Sequence, residues 1–283
     1  MLKTLNQNML GLDHPFKVIA PLAAKYGFRA IYATRQMLED RALAREAAAI
    51  IADSGLSWGM MPLPTNFCHW ELDDGDFRRA LEILRRWADA ARVLGISRAA
   101  DILWPCSTRE FDENFQWTLN RIRAVNDILR ENGIAYGLEF LGSHELRRLA
   151  EHEFVHSLSG ALALAKAAGS GVGIVFDVFQ WYTSQDGAMD DVLLMEQEIE
   201  RLVAVHVSDG MLGRSFDQQR DIERRLPGVT GVIDAKAVLA RFRSHPCSAL
   251  YMVEPFDIWR AKLGAMEAEE AVRAVSEALA RVE

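Results

Sequence analysis

Short apolar runs and longer amphipathic stretches alternate along this chain. The apolar runs fall at residues 2–10, 28–32, 56–62, 96–104, 134–140, 172–179, 202–207 and 249–256. Residues 15–26, 36–54, 77–94, 110–132, 155–168, 190–201, 234–244 and 267–282 instead carry apolar side chains at i, i+3 and i+4, the spacing of one helical face. Leu81, Leu84, Trp87 and Ala88 are one such set. Gly27, Gly95 and Gly133 follow three of these stretches, where a left-handed residue closes a final helical turn. Short apolar strands joined by helices predict a parallel sheet with crossover connections. Eight such units in 283 residues have the size of a (β/α)8 TIM barrel, which takes about 250 residues. An open doubly wound sheet is the competing α/β architecture. It has fewer strands and, when it binds a dinucleotide, a Gly-rich turn after its first strand. Here Gly169, Gly171 and Gly173 precede a strand and read as a helix-to-strand connection. No Pro/Gly/Ser-rich or low-complexity stretch marks a boundary, so residues 1–283 are expected to form one barrel domain.

Composition narrows the function classes. A formal charge of −8 opposes non-specific binding to nucleic acid or to an anionic membrane surface. No apolar run approaches the roughly 20 residues that span a bilayer. The first ten residues mix Lys, Thr, Asn and Gln and do not resemble a signal peptide. Cys68, Cys106 and Cys247 form no CxxC pair, which fits a cytoplasmic protein and excludes a thiolate zinc site. A GxSxG elbow, a Walker A loop and an HExxH helix are all missing. Lys17, Lys25, Lys166, Lys236 and Lys262 end no apolar run, and only Lys3 lies near one, so Schiff-base chemistry is poorly supported.

In barrels of this kind, chemistry gathers where the strands end. The last four runs each carry one ionisable group near their exit: Glu139, Asp177, His206 and Glu254. Any one of them, alone, could be a loop, capping or hydrogen-bonded barrel residue. Together, three carboxylates converging on one mouth repel each other, and a divalent cation removes that cost. An oxygen-rich set with one imidazole suits Mn²⁺ first, then Mg²⁺, Co²⁺ or Zn²⁺. Four protein ligands leave coordination positions open for a substrate with adjacent oxygens, such as a hydroxyketone.

At these residues the chain resembles the sugar phosphate isomerase/epimerase family of the xylose isomerase-like barrels, and within it the inosose isomerase group. The matching segments are Leu138-Glu139-Phe140-Leu141-Gly142, Val175-Phe176-Asp177-Val178-Phe179, His206-Val207-Ser208-Asp209 and Val253-Glu254-Pro255-Phe256. Arg224, followed by Pro227-Gly228 and Gly231 to Asp234, completes them. The resemblance implies a xylose isomerase-like TIM barrel in which Glu139, Asp177, His206 and Glu254 bind one divalent metal. It implies that Glu139 and Glu254 also serve as the acid/base pair, moving a proton through a cis-enediolate of a keto-polyol such as an inosose or ketose. Gln180 stands where relatives carry His, and Pro227 to Gly231 is one residue longer than the usual turn. Both departures bear on the substrate more than on the reaction. Gln180, Arg224, Asn6 and Trp104 are the expected substrate contacts; Arg224 could equally fix a loop, and Asn6 could form a turn. Aromatic residues after several strands, such as His69, Trp70, Trp181 and Tyr182, could wall a sugar ring or simply pack.

Three other readings compete. A lyase of the same superfamily, acting on a compound like 3-dehydroshikimate, would need a leaving hydroxyl placed for elimination. An endonuclease IV-like phosphodiesterase would need a His-rich multi-metal site and a basic groove, which seven His and the acidic balance do not favour. A non-catalytic polyol-binding barrel would be favoured by loss of a ligand, and all four are present. The expected partner is a small-molecule keto-polyol, with neither nucleic acid nor membrane, and with homo-oligomer formation open.

Overall fold

The computed structural model describes residues 1–185 and 187–283. Its central feature is one sheet of parallel strands: β1 (Leu2–Leu5), β2 (Ala30–Ile31), β3 (Ser57–Trp58), β4 (Arg98–Leu103), β5 (Ala135–Phe140), β6 (Val172–Asp177), β7 (Leu202–Val207) and β8 (Leu250–Val253). The strands run β3-β2-β1-β8-β7-β6-β5-β4 across the sheet, so each lies beside its neighbour in sequence and β1 pairs with β8. The two ends meet at one parallel bridge, Met61 to Ala99, where the Met61 N–H donates to Arg98 O at 2.9 Å. This curled sheet with helices between strands is the expected barrel. One of its walls is joined by that single bridge.

Eight of the helices follow the helical pattern: Phe16–Lys25, Arg41–Ser54, Asp74–Leu94, Phe111–Glu131, Leu158–Ala168, Met189–Gln197, Ala235–Arg243 and Ala268–Ala280. Gly27, Gly95 and Gly133 have φ of 81°, 78° and 71°, the left-handed conformation that a side chain disfavours. The stretch 36–54 is not one helix. Arg35–Glu39 ends at Asp40, whose carboxylate accepts from Ala42 N at 2.7 Å and starts the next helix.

Several strand predictions ran too long: 172–179 because a fully buried helix turn is as apolar as a strand, and 2–10, 56–62 and 249–256 because apolar turns and loops follow those strands. The run 172–179 stops as a strand at Asp177, and Val178–Gln185 is helical. The Asp177 carboxylate accepts from Phe179 N at 2.7 Å, which begins that helix. The runs 2–10 and 249–256 end at Leu5 and Val253, and a further helix, Asp257–Gly264, follows β8. A two-stranded antiparallel ribbon, Cys106–Ser107 with His152–Glu153, ties the loops after β4 and β5 together.

The core has two parts. A large outer layer packs the strands' outward residues, such as Leu138, Phe176, Val205 and Tyr251, against the helices. A small inner layer holds Ala30, Met60, Val175, Val203, Ala204 and Leu250 inside the barrel. The period of two along a strand then fixes which side chains face inward. Small residues are required there: a Cβ on Gly173 would lie 2.2 Å from the Arg201 carbonyl oxygen. Above Val175, Ala204 and Leu250 in the same inward rows come Asp177, His206, and Met252 with Glu254.

A buried carboxylate–histidine centre and its cavity

Neighbouring strands bring the four strand-end groups to one place. Asp177 pairs in register with His206, His206 with Met252, and Glu139 with Val175. Glu139, Asp177, His206 and Glu254 are all buried, and one ligand atom from each lies within 4.8 Å of the others. His206 Nδ1 is 3.0 Å from Glu139 Oε1 and 3.3 Å from Glu254 Oε1. Three carboxylates and an imidazole at this spacing, out of water, are a donor set that fits a hard divalent ion.

Arg224 closes the cluster from behind. Its Nη1 donates to Asp177 Oδ2 at 2.5 Å and to Glu254 Oε2 at 2.6 Å, and its Nη2 to Asp221 Oδ1 at 2.6 Å. The rings of Phe179 and Phe256 flank the guanidinium at 4.7 and 4.6 Å. It is 2 % exposed. Gln180 is fully buried one layer further out. Its Nε2 donates to Asp221 Oδ1 at 2.5 Å, and its Oε1 accepts from Gly142 N at 2.7 Å and Ser143 N at 3.2 Å. A Cβ on Gly142 would sit 2.0 Å from the Gln180 carbonyl oxygen, so only glycine lets the loop after β5 lie against this helix.

The charges divide unevenly. Burial pushes the Asp177 carboxyl well above its usual range; Arg224 opposes this, while the charges of Glu254 and Glu139 add to it. Burial also disfavours the Glu254 carboxylate, yet His206 and Arg224 together hold it below the usual range. For His206, burial disfavours the imidazolium, and Glu139 and Glu254 outweigh it and raise the pKa.

In front of the cluster lies a cavity of about 390 Å³ whose lining includes Glu139, His206, Glu254, Asn6, Tyr32 and Arg260. Asn6 therefore reaches the cavity, while its Oδ1 also accepts from Met9 N at 3.2 Å, the turn-forming contact. Gln180, Arg224 and Trp104 are not in that lining. Gln180 and Arg224 hold protein groups instead, and Trp104 packs edge-on against His69 and Trp70, with ring centroids 4.9 and 5.0 Å away. The apolar wall comes mainly from Met9, Met60, Met61 and Met252, with Tyr32 the one aromatic ring among the described lining residues. The lengthened turn lies outside the cavity. Thr230 N and Gly231 N both donate to Asp209 Oδ2 at 2.8 Å, and Gly210 N and Ile233 N donate to Oδ1.

Tyr32 and Asp221 had no role in the sequence reading, and Asp209 stood there only within a matching segment. Tyr32 follows one of the shortest strands; Asp209 and Asp221 belong to a long loop without regular spacing.

Strand-end carboxylates around one imidazole, inside a parallel barrel, form a donor set that could hold a divalent ion. The sequence pattern of the xylose isomerase-like TIM barrels matches residues 20–281, and the chain belongs to that family. Among solved structures it is similar to a xylose isomerase domain protein from Alicyclobacillus acidocaldarius, at 25% identity with a TM-score of 0.81, covering 100% of this chain and 98% of that one. It is similar to the IolI protein solved with a bound zinc atom, at 18% identity and a TM-score of 0.80, with 100% and 98% covered. It is also similar to D-psicose 3-epimerase solved with D-fructose, at 17% identity and a TM-score of 0.74, with 99% and 97% covered. A search of the curated proteins found no match. No helix among the described residues is long and apolar enough to cross a membrane.

Proposed function

We propose that this protein is a divalent-metal-dependent isomerase or epimerase of a keto-polyol, an inosose or ketose. The observation that carries this reading is the buried quartet Glu139, Asp177, His206 and Glu254, with both glutamates opening onto one small cavity. Zinc in the similar IolI structure and fructose in the similar epimerase support it, within a shared fold. The four side chains would hold the ion, with Mn²⁺ the first candidate; when bound, it polarises a carbonyl and the neighbouring hydroxyl and so acidifies the C–H between them.

The protein's own groups then do the proton work. One glutamate removes the proton from that carbon, giving an enediolate. For epimerisation the other returns a proton to the same carbon from the opposite face; for isomerisation it returns one at the neighbouring carbon while the hydroxyl proton passes to the former carbonyl oxygen. Arg224 keeps Asp177 and Glu254 in place, and Asp221 and Gln180 keep Arg224 in place. Asn6 offers its amide to a substrate hydroxyl. The methionine wall takes the C–H face of a ring or chain and excludes water from the reacting carbon.

Proton exchange in D₂O, followed by NMR over a panel of inososes, ketoses and dehydroshikimate, tests the proposal. Exchange at the carbon beside the carbonyl is expected, with loss on chelation and in Glu139→Gln and Glu254→Gln. The proposal fails if the Mn²⁺-loaded protein exchanges none of them, or if both variants still exchange with metal bound. Loss of water rather than isomerisation would reassign the protein to lyase chemistry.

A further inference from the structure

We infer that Tyr32 is a catalytic residue of this site, donating its phenolic hydrogen to the substrate oxygen that becomes negative when the C–H proton leaves. The inference rests on the proposed reaction, and three structural observations carry it.

The first is placement. Tyr32 follows β2 directly, in the inward row that begins with Ala30, and packs against the inner core. It lines the same cavity as Glu139, His206 and Glu254. The second is that the ring is held. Its backbone N–H donates to Leu5 O at 3.0 Å. A Cβ on Gly59 would lie 2.7 Å from Tyr32 Cδ1, so glycine at that position makes room for the ring. The third is that the hydroxyl has no hydrogen-bond partner among the described residues, although the ring is half-buried. Two other donors in this corner are already engaged: Arg224 by three carboxylates and Gln180 by Gly142, Ser143 and Asp221. A positioned donor left free beside two glutamates suits an oxyanion that exists only along the reaction coordinate.

The environment keeps the group a donor. Burial, and then the negative charges of Glu139 and Glu254, raise the phenol's pKa, so the hydrogen stays on Oη throughout the neutral range. No proton transfer by Tyr32 is required.

Tyr32→Phe removes one oxygen and leaves the ring in its seat. The assay is proton exchange on 2-keto-myo-inositol and on D-fructose in D₂O with Mn²⁺-loaded protein, alongside the melting temperature and calorimetric Mn²⁺ binding. For whichever compound the wild type exchanges, kcat is expected to fall about 10²-fold, the cost of losing one such donor. KM, Mn²⁺ affinity and melting temperature should stay as in the wild type, because the hydroxyl bonds no protein group and acts only in the transition state. Full activity in the variant would overturn the inference. So would a rise in KM alone, which would mark a ground-state contact, or a lower melting temperature, which would mark a structural hydroxyl. If the wild type exchanges neither compound, the proposed substrate class fails and the assignment of Tyr32 falls with it; a wild type that exchanges while Tyr32→Phe exchanges equally well sinks only the latter.

Discussion

Replacing Gln180 by leucine separates a positioning role from a substrate contact. Leucine has similar bulk and fills the same buried space, so packing is largely conserved. What disappears is the acceptor for Gly142 N and Ser143 N, at 2.7 and 3.2 Å, and the donor to Asp221 at 2.5 Å. The site is closed to water, with Gln180 0% exposed, so the two backbone N–H groups are left without a partner. Each such donor costs about 1–3 kcal/mol, which puts the loss at about 3 kcal/mol. Arg224 keeps its bonds to Asp177 and Glu254 and its two flanking rings, so the quartet loosens rather than collapses. Partners bonded directly to metal ligands typically change metal affinity by about 10–100-fold, and Gln180, acting on the quartet through Asp221 and Arg224, belongs at the low end of that range. Urea unfolding should therefore show a lower midpoint at unchanged m-value, and Mn²⁺ titration should show about tenfold weaker binding. A residue that contacts substrate would instead raise KM and leave both measurements alone. Stability within about 0.5 kcal/mol of wild type, the range of neutral surface changes, would refute the reasoning.

Asp209→Ala should cost more, about 4 kcal/mol in the same unfolding experiment, because one carboxylate accepts from Gly210, Thr230, Gly231 and Ile233 N–H groups at once. Asp101 supplies a pH dependence. Burial pushes its carboxyl up to about 7, against hydrogen bonds from Tyr136, Phe67 and Ile102 that favour the charge. Its folded pKa thus exceeds the unfolded value of about 3.9. The stability it contributes is complete below about pH 4 and is lost as pH rises through about 7. Unfolding free energy measured across that window should decline, and less steeply in Asp101→Asn. Mn²⁺ at a hundredfold its Kd should raise stability by about 2.7 kcal/mol, seen as a higher melting temperature that EDTA reverses and that Asp177→Asn abolishes.

Much of the barrel was legible because each unit repeats a local signal, an apolar run followed by helical spacing and, in places, a closing glycine. The four strand-end groups were legible for a related reason. An ionisable side chain interrupting an otherwise apolar run has few purposes, and here four successive runs carried one. What could not be read was where a buried strand becomes a buried helix. Val178, Phe179 and Trp181 are as apolar as the strand before them, so periodicity places Asp177 within a strand when it stands at the joint. Orientation was equally hidden. Gln180 and Arg224 have the chemistry of substrate contacts, and only the packing of loop against helix shows them turned toward Asp221, Gly142 and Ser143. The cavity wall drew Met9, Met60, Met61 and Met252 from separate segments, and no local pattern announces such a surface.

The two glutamates are not equivalent, and the difference bears on the direction of proton transfer. Glu254 is engaged at both oxygens, Oε1 by His206 and Oε2 by Arg224. Among the described residues Glu139 meets only His206, through Oε1. Its second oxygen is therefore the carboxylate position freest to approach a substrate C–H from the cavity. In the proposed reaction Glu139 is the better placed to take the first proton, and Glu254 gives up an interaction with Arg224 or His206 whenever it carries one. The two amide substitutions should differ accordingly. Glu139→Gln removes proton transfer and leaves the Arg224 bridge intact. In Glu254→Gln an amide NH₂ replaces one of the oxygens that now faces Arg224 or His206, so a buried cation loses an acceptor. Lower thermal stability is thus expected of Glu254→Gln alone, although both should stop exchange. Equal melting temperatures in the two variants would show that Arg224 does not depend on Glu254, and the asymmetry between the glutamates would have to be abandoned.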